Sequence, residues 1–247
     1  MKIGILTDIH SNIQALTAVL NEFEKIGVDK IICCGDIIGI GINPEETVQE
    51  LIKKRDILIA VRGNHEQYLL EGLPKEIHDD KRKLKQEEID NHNWNHKKLS
   101  KESIDFLKSL KLTENIKIYG KRIYVVHYPF KENGTYYKHI KKPTNIENKE
   151  MFKYEDADIY LYGHTHTYSV NNEVGKLYIN VGSLGCPMNN GNIAKAGILE
   201  INKQTVDFYG INVEYNVKEI VEKIKKLKFP FYKEILKIFY GITDFED

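Results

Sequence analysis

The sequence predicts an α/β fold whose working side chains gather at the C-terminal ends of strands. Short apolar runs at 2–7, 30–34 and 57–61 alternate with stretches of helical periodicity. Each run stops at polar side chains of the kind that bind metals. Further runs follow more closely after residue 116, so strands dominate the second half. Sheets wound this way hold their ligands beyond the carboxyl ends of the strands.

The first run, KIGILT, ends at Asp8. Ile13, Leu16, Val19, Leu20 and Phe23 then keep helical spacing, with Ser11 as the predicted N-cap and Gln14 at the capping-box position. The second run ends at Gly35-Asp36. Asn43-Pro44-Glu45-Glu46 combines a capping residue, a first-turn proline and a glutamate three positions on, and Val48, Leu51 and Ile52 give that helix its apolar face. The third run ends at Arg62-Gly63-Asn64-His65. From Tyr68 to about Leu110 the chain is charged and helix-favouring, with Trp94 set among Asn and His. It reads as a helical insertion over the site, or as a solvated helix pair. Residues 123–126 lead into His127, 159–162 into Gly163-His164-Thr165-His166, and 177–181 into Gly182-Ser183. Residues 193–201 and 205–213 read as a hairpin turning at Asn202-Lys203. Asn216 with Glu219 caps a late helix, and Pro230 separates it from an apolar tail helix through Tyr240. That tail, with Phe229, Phe231, Ile235, Leu236 and Phe239, either covers the core or forms a dimer contact. No repeat or flexible linker interrupts the chain, so 1–247 reads as one domain, with an insertion at 68–110 and a tail at 216–247.

With 36 basic against 36 acidic residues, whole-molecule charge points to neither nucleic acid nor an acidic membrane. No run approaches the ~18 apolar residues of a membrane helix. Met1-Lys2-Ile3 opens straight into a strand without a signal peptide, so a cytoplasmic location is expected. Cys33, Cys34 and Cys186 form no paired framework and read as reduced structural thiols, the first two facing opposite sides of a strand.

Five strand ends deliver the chemistry: Asp8 and His10, then Asp36, then Asn64 with His65, then His127, then His164 and His166. In Asp-x-His and His-x-His an extended chain would set both side chains on one side. Carboxylate, imidazole and amide oxygen suit manganese, iron, cobalt, nickel or zinc, and the absence of cysteine argues against a structural zinc site.

These blocks, Asp8-Ile9-His10, Gly35-Asp36, Gly63-Asn64-His65-Glu66, His127 and Gly163-His164-Thr165-His166, resemble the calcineurin-like metallophosphoesterase family from residue 8 to about 185. The fourth block has Val126 where glycine is usual, and Asn180-Val181-Gly182-Ser183 is similar to a loop of the small bacterial and archaeal branch. The resemblance implies a four-layer αββα sandwich of two β-sheets. It implies that Asp8, His10 and His166 hold one divalent ion, that Asn64, His127 and His164 hold another, and that Asp36 bridges them. Manganese is the first choice, with iron, nickel, cobalt or zinc as alternatives. Two such ions make hydroxide available at neutral pH and meet the charge of a phosphate ester. His65, beside Asn64 but outside the ligand set, is the expected general acid, and Arg62, Gly182, Ser183 and Trp94 are expected to contact substrate. His78, His92, His96 and His139 lie in charged stretches and read as solvated, while Cys186 and Asn189 follow the Gly-Ser loop without a stated role.

The expected substrate is a small phosphate ester or nucleotide, with no membrane partner, no stable nucleic-acid binding and homodimerisation left open. One alternative is a serine/threonine protein phosphatase; those enzymes carry Asp-Arg-Gly where this chain has Gly39-Ile40-Gly41. Another is a scaffold that kept the fold and lost the reaction, although such relatives lack ligands that are all present here.

Overall fold

The computed structural model describes residues 1–77, 82–173, 175–186 and 191–245. The chain runs β1 (Lys2–Leu6), α1 (Ile13–Ile26), β2 (Lys30–Cys33), α2 (Pro44–Lys53), β3 (Leu58–Ala60), α3 (Asn64–Glu71), α4 (Gln86–His96) and α5 (Lys101–Ser109). It continues β4 (Thr113–Ile118), β5 (Lys121–Val126), α6 (Asn145–Met151), β6 (Ile159–Tyr162), β7 (Tyr168–Glu173) and β8 (Lys176–Val181). It closes with β9 (Ile193–Ile201), β10 (Val206–Glu214), α7 (Val217–Leu227) and α8 (Tyr232–Tyr240).

Two five-stranded sheets form, in the orders β10-β9-β1-β2-β3 and β4-β5-β6-β8-β7. Strands β1, β2 and β3 of the first, and β5, β6 and β8 of the second, run parallel, while β9, β10, β4 and β7 pair antiparallel. Strand alternation explains why the sheets stack. Ile3 and Ile5 of β1, Ile159 and Leu161 of β6 and Ile179 and Val181 of β8 fill the layer between the sheets. The opposite residues face outward into two further cores. Leu6 joins a helix-covered cluster with α1, α2, α7 and α8, and Tyr160 and Tyr162 join an aromatic one with Met151 and Phe152 at α6. Tyr160 and Tyr178 are paired in register on neighbouring strands and stack at 4.7 Å. The result is a four-layer αββα sandwich. Gly4 shows how closely the layers approach, since a Cβ there would lie 2.4 Å from the Phe23 ring of α1.

Several local expectations are corrected. The cap of α1 is Asn12, whose side chain accepts from the Ala15 amide at 3.0 Å, because Ser11 sits in a left-handed turn and donates its hydroxyl to Asn95. Asn43 precedes α2 without a side-chain cap, so the proline and the acidic first turn start that helix. Strand β7 and helix α6 were not anticipated. Both are polar and lie at the outside, where no apolar period is imposed. Asn216 caps α7 as expected, and the tail packs on the core through Phe229, Ile235 and Leu236. Among the described residues no helix is long and apolar enough to cross a membrane.

Candidate active site

The loops that follow β1, β2, β3, β5 and β6 meet at one end of the sandwich. Extended geometry does not bring their side chains together. Asp8 (φ 52°), His10 (φ 46°), Asp36 (φ 52°), His164 (φ 72°) and His166 (φ 53°) all adopt the left-handed backbone that L-residues avoid. Each chain turns sharply as it leaves its strand, and the turn aims the side chain inward. Such strain persists only where the surroundings over-determine it, and here they do. The glycines of the sequence blocks make room: a Cβ on Gly63 would lie 2.1 Å from Asp36 Oδ1, and one on Gly163 would lie 2.0 Å from Thr7 Oγ1.

Two groups of ligand atoms result. In the first, His10 Nε2 lies 2.9 Å from His166 Nε2, and Asp8 Oδ1 lies 3.7 Å and 3.3 Å from those two nitrogens. In the second, Asn64 Oδ1 lies 3.1 Å from His127 Nε2 and 2.9 Å from His164 Nδ1. Asp36 Oδ2 reaches into both, 3.8 Å from His10 Nε2 and 3.2 Å from His127 Nε2. The tautomers are directed from behind, since His127 Nδ1 meets the Cys34 carbonyl at 2.8 Å and His10 Nδ1 meets the Ile38 carbonyl at 3.3 Å, which leaves both Nε2 lone pairs facing the site.

The electrostatics of this donor set fit cations. Burial pushes Asp8 up, but His166 more than offsets it and holds the carboxyl at about 2. Burial likewise opposes ionisation of Asp36, and His127 and His65 hold it well below the usual carboxylate range. Burial, reinforced by His166, lowers His10 to about 4, so its imidazole is a neutral donor. Burial would lower His127 too, yet the carboxylate of Asp36 raises it to about 9, the mark of a position that attracts positive charge.

A ring of supporting residues holds the ligands. Buried Glu66 accepts from the amides of Gly63, Asp36, Ile37 and Ile38 at 2.8–3.0 Å, fixing the Asp36 turn to the start of α3. The His65 amide, in the first turn of that helix, donates to Asp36 Oδ1 at 3.0 Å. Asn95 of α4 clamps the adjoining loops through Ser11, Gly39 and Gly41. Asn180 donates to the Gly163 carbonyl and to Thr165. Glu66 was visible as the last residue of the Gly-Asn-His-Glu block, whereas nothing local in the sequence marks Asn95.

His65 stands at the rim, its Nε2 4.0 Å from Asp36 Oδ2 and its ring 4.9 Å from that of His10. Burial pushes its pKa well below the usual value, against the pull of Asp36. His92 of α4, expected to be solvated, is buried with its ring 5.0 Å from His65 and 5.3 Å from Tyr68. His96 is half-buried, and burial lowers it to about 4. His139 is exposed as expected, while His78 and Asn189 lie outside the described residues. Cys186 lies near the site, its Sγ within 4.8 Å of the ligand nitrogens of His10 and His166.

The four expected substrate contacts are not brought to the cluster. Trp94 packs against Phe229 at 5.1 Å beneath Lys98 at 4.9 Å, because it lies two positions from His92 and so on a different face of α4. Arg62 points toward Glu71, 3.9 Å away. Ser183 is buried and donates to the Asp8 carbonyl at 2.8 Å, and the Gly182 amide donates to Asn180; both serve the scaffold.

Comparison with known proteins agrees with this architecture. The chain is 34% identical to the uncharacterized protein MJ0912 of Methanocaldococcus jannaschii over 92% of this chain and 93% of that protein. Hypothetical protein PH1004 from Pyrococcus horikoshii shares the fold with a TM-score of 0.81 at 21% identity, covering 97% of each chain. A metallophosphoesterase from Sphaerobacter thermophilus shares it with a TM-score of 0.74 at 24% identity, covering 98% of this chain and 99% of that one. The model of the calcineurin-like phosphoesterase superfamily domain matches residues 1–204, the span that contains both sheets' site-forming loops, and the chain belongs to that superfamily.

Proposed function

We propose that the protein is a phosphoesterase that works with two divalent ions, one held by Asp8, His10 and His166, the other by Asn64, His127 and His164, with Asp36 shared. The observation that carries this reading is Asp36 Oδ2, within 3.8 Å of His10 and 3.2 Å of His127, so one carboxylate oxygen faces both ligand groups. Manganese is the first choice among the metals that suit imidazole and carboxylate together. When bound, the ions supply a nucleophilic hydroxide at neutral pH and fixed positive charge for the phosphoryl oxygens.

The chain's own residues supply the rest. In hydrolysis a water oxygen joins phosphorus, the ester P–O bond breaks, and the departing oxygen takes up a proton. His65 would give that proton: its Nε2 lies 4.0 Å from Asp36 Oδ2 at the rim, close enough to His10 and Asp36 that only the metal content of a His65 variant separates acid from ligand. Its depressed pKa is opposed once an anionic ester lies beside it. Glu66, through four backbone bonds, keeps Asp36 and the first turn of α3 in fixed relation, so His65 and the shared carboxylate keep their spacing. Small esters fit better than protein substrates, since the loop at Gly39-Ile40-Gly41 offers no arginine to grip a phosphate.

Elemental analysis after dialysis against manganese, followed by assay on 4-nitrophenyl phosphate and bis(4-nitrophenyl) phosphate, tests the reading. About two ions per chain with metal-dependent release of nitrophenolate is the expected result. One ion or fewer, with no weaker second site on titration, overturns the shared-carboxylate model.

A further inference from the structure

Beside the ligand cluster lies a cavity of about 520 Å³, a volume that suits a small organic group. His65, Asn64 and His164 form its floor. Its walls are of another character: Ile40, Leu84, Ile235, Ile238 and Phe239 all face it. Three of these come from α8, where positions 235, 238 and 239 share one face at i, i+3 and i+4. Ile235 and Leu236 both belong to the helix-covered core, and Phe239 packs against it. Helix α8 thus seals the interior with Ile235 and Leu236 and leaves the edge of that apolar surface, at Ile238 and Phe239, lining the mouth of the active site. Ile238 is 41% exposed there, an apolar side chain left in contact with solvent.

The charges around the cavity cancel. Among the described residues that line it, Arg82 and Lys85 are matched by Glu88 and Glu234, and Arg82 donates two hydrogen bonds of 2.8 Å to Glu88. Away from the metal ligands, such a lining offers no excess positive charge to a second phosphate. The cavity also opens at His65, the group that protonates the departing oxygen, so what occupies it is the alcohol side of the ester.

We propose that this cavity binds the leaving group, and that the preferred substrates are phosphate esters of an uncharged, apolar alcohol of phenyl size or larger, not nucleoside polyphosphates. The proposal rests on the phosphoesterase reading above and deepens it. Esters of matched leaving-group basicity isolate apolar contact from chemistry. With the manganese-loaded protein, kcat/KM for 2-phenylethyl phosphate should exceed that for ethyl phosphate roughly 10–100-fold, and diadenosine tetraphosphate should be the poorest of the three. Calorimetric titration should give 2-phenylethylphosphonate a similar advantage over ethylphosphonate. Ile238→Asp, at a solvent-exposed position, and Leu84→Asp, in another segment of the lining, should each cut both preferences about tenfold.

Equal constants for the two esters together with equal phosphonate affinities overturn the proposal, as does a preference for diadenosine tetraphosphate. A phosphonate preference that both variants abolish, without hydrolysis of any ester, upholds the cavity and overturns the phosphoesterase reading.

Discussion

At Asp36 the two oxygens do different work: Oδ1 receives the His65 amide at 3.0 Å, while Oδ2 faces both ligand groups. Replacing it with asparagine keeps the first bond and removes the shared negative charge. Asp36→Asn should therefore lower the content of both metals and cut the rate by at least about 10²-fold, whereas a His166 change should weaken one ion. Elemental analysis beside kinetics checks this, and retention of two ions at near-normal turnover counts against a shared role. His65 allows a sharper test. His65→Ala should keep both metals and lose roughly 10²–10⁴-fold on an alkyl phosphate, but far less on a nitrophenyl ester, whose phenolate leaves unprotonated. Equal losses on both esters point to phosphate positioning; loss of metal points to ligation. At this scale the sequence was informative where chemistry is carried by residue type. The seven side chains expected as ligands do converge at one end of the sandwich, and the donor atoms of His65 and Cys186 lie among them as well. Contacts that depend on helix phase are not legible in this way, and it is His92 that meets His65 while Trp94 turns to Phe229.

Elements explain why. Helix α4 carries His92 toward His65 and Trp94 toward Phe229, and its mixed polar sequence gives no apolar stripe from which to fix the phase. Trp94→Ala should behave as a packing change, destabilising by about 1–3 kcal/mol with kcat and KM nearly unchanged. Thermal denaturation and kinetics on one variant decide it, and a raised KM at unchanged stability returns Trp94 to the substrate. The turn after β2 gives a complementary test. Gly39 has φ 85°, and a Cβ there would lie 2.0 Å from His65 Nδ1. Gly39→Ala should reproduce the ester-dependent loss of His65→Ala, because it displaces the same ring; a variant indistinguishable from the parent on alkyl esters counts against that steric link. Strand positions were legible from buried apolar runs, but the left-handed turns beyond them were not. Asp and His enter the left-handed region more readily than most residues, but that weak preference marks no particular position, and only the adjoining glycines hint at the crowding.

For the whole molecule, the α/β class followed from alternating runs, while the stacking of two sheets came through family resemblance. Strands buried on both faces read as continuous apolar runs, so periodicity cannot say which face meets which sheet. Polar β7 and α6 escaped for the opposite reason, having little apolar face to reveal. Metal should couple the site to global stability, because Asp8 and Asp36 are buried carboxylates held in left-handed turns. At free metal near 100 times Kd, each of the two ions should add about 2.7 kcal/mol to the loaded protein. For a chain of this size that corresponds to a rise in Tm of roughly 5–10 °C per ion, or roughly 10–20 °C for both, over the chelated form. Calorimetry with and without chelator measures it, and identical transitions contradict the coupling.

Strand β1 lies at the centre of its sheet, flanked by β2 on one side and β9 on the other. The first partner follows within a few dozen residues, but β9 begins only at Ile193. At ~5–20 residues per second on the ribosome, one edge of β1 waits for its partner for roughly 10–40 s. During that wait Ile3 and Ile5 have only part of their final cover, and a row of backbone donors and acceptors stands open to any passing strand. Nascent chains arrested before Ile193 should therefore associate with holdase chaperones or with one another, and those extended past Ile201 should be released. The order of synthesis thus leaves the middle strand of the first sheet, though it is made first, among the last to be sealed.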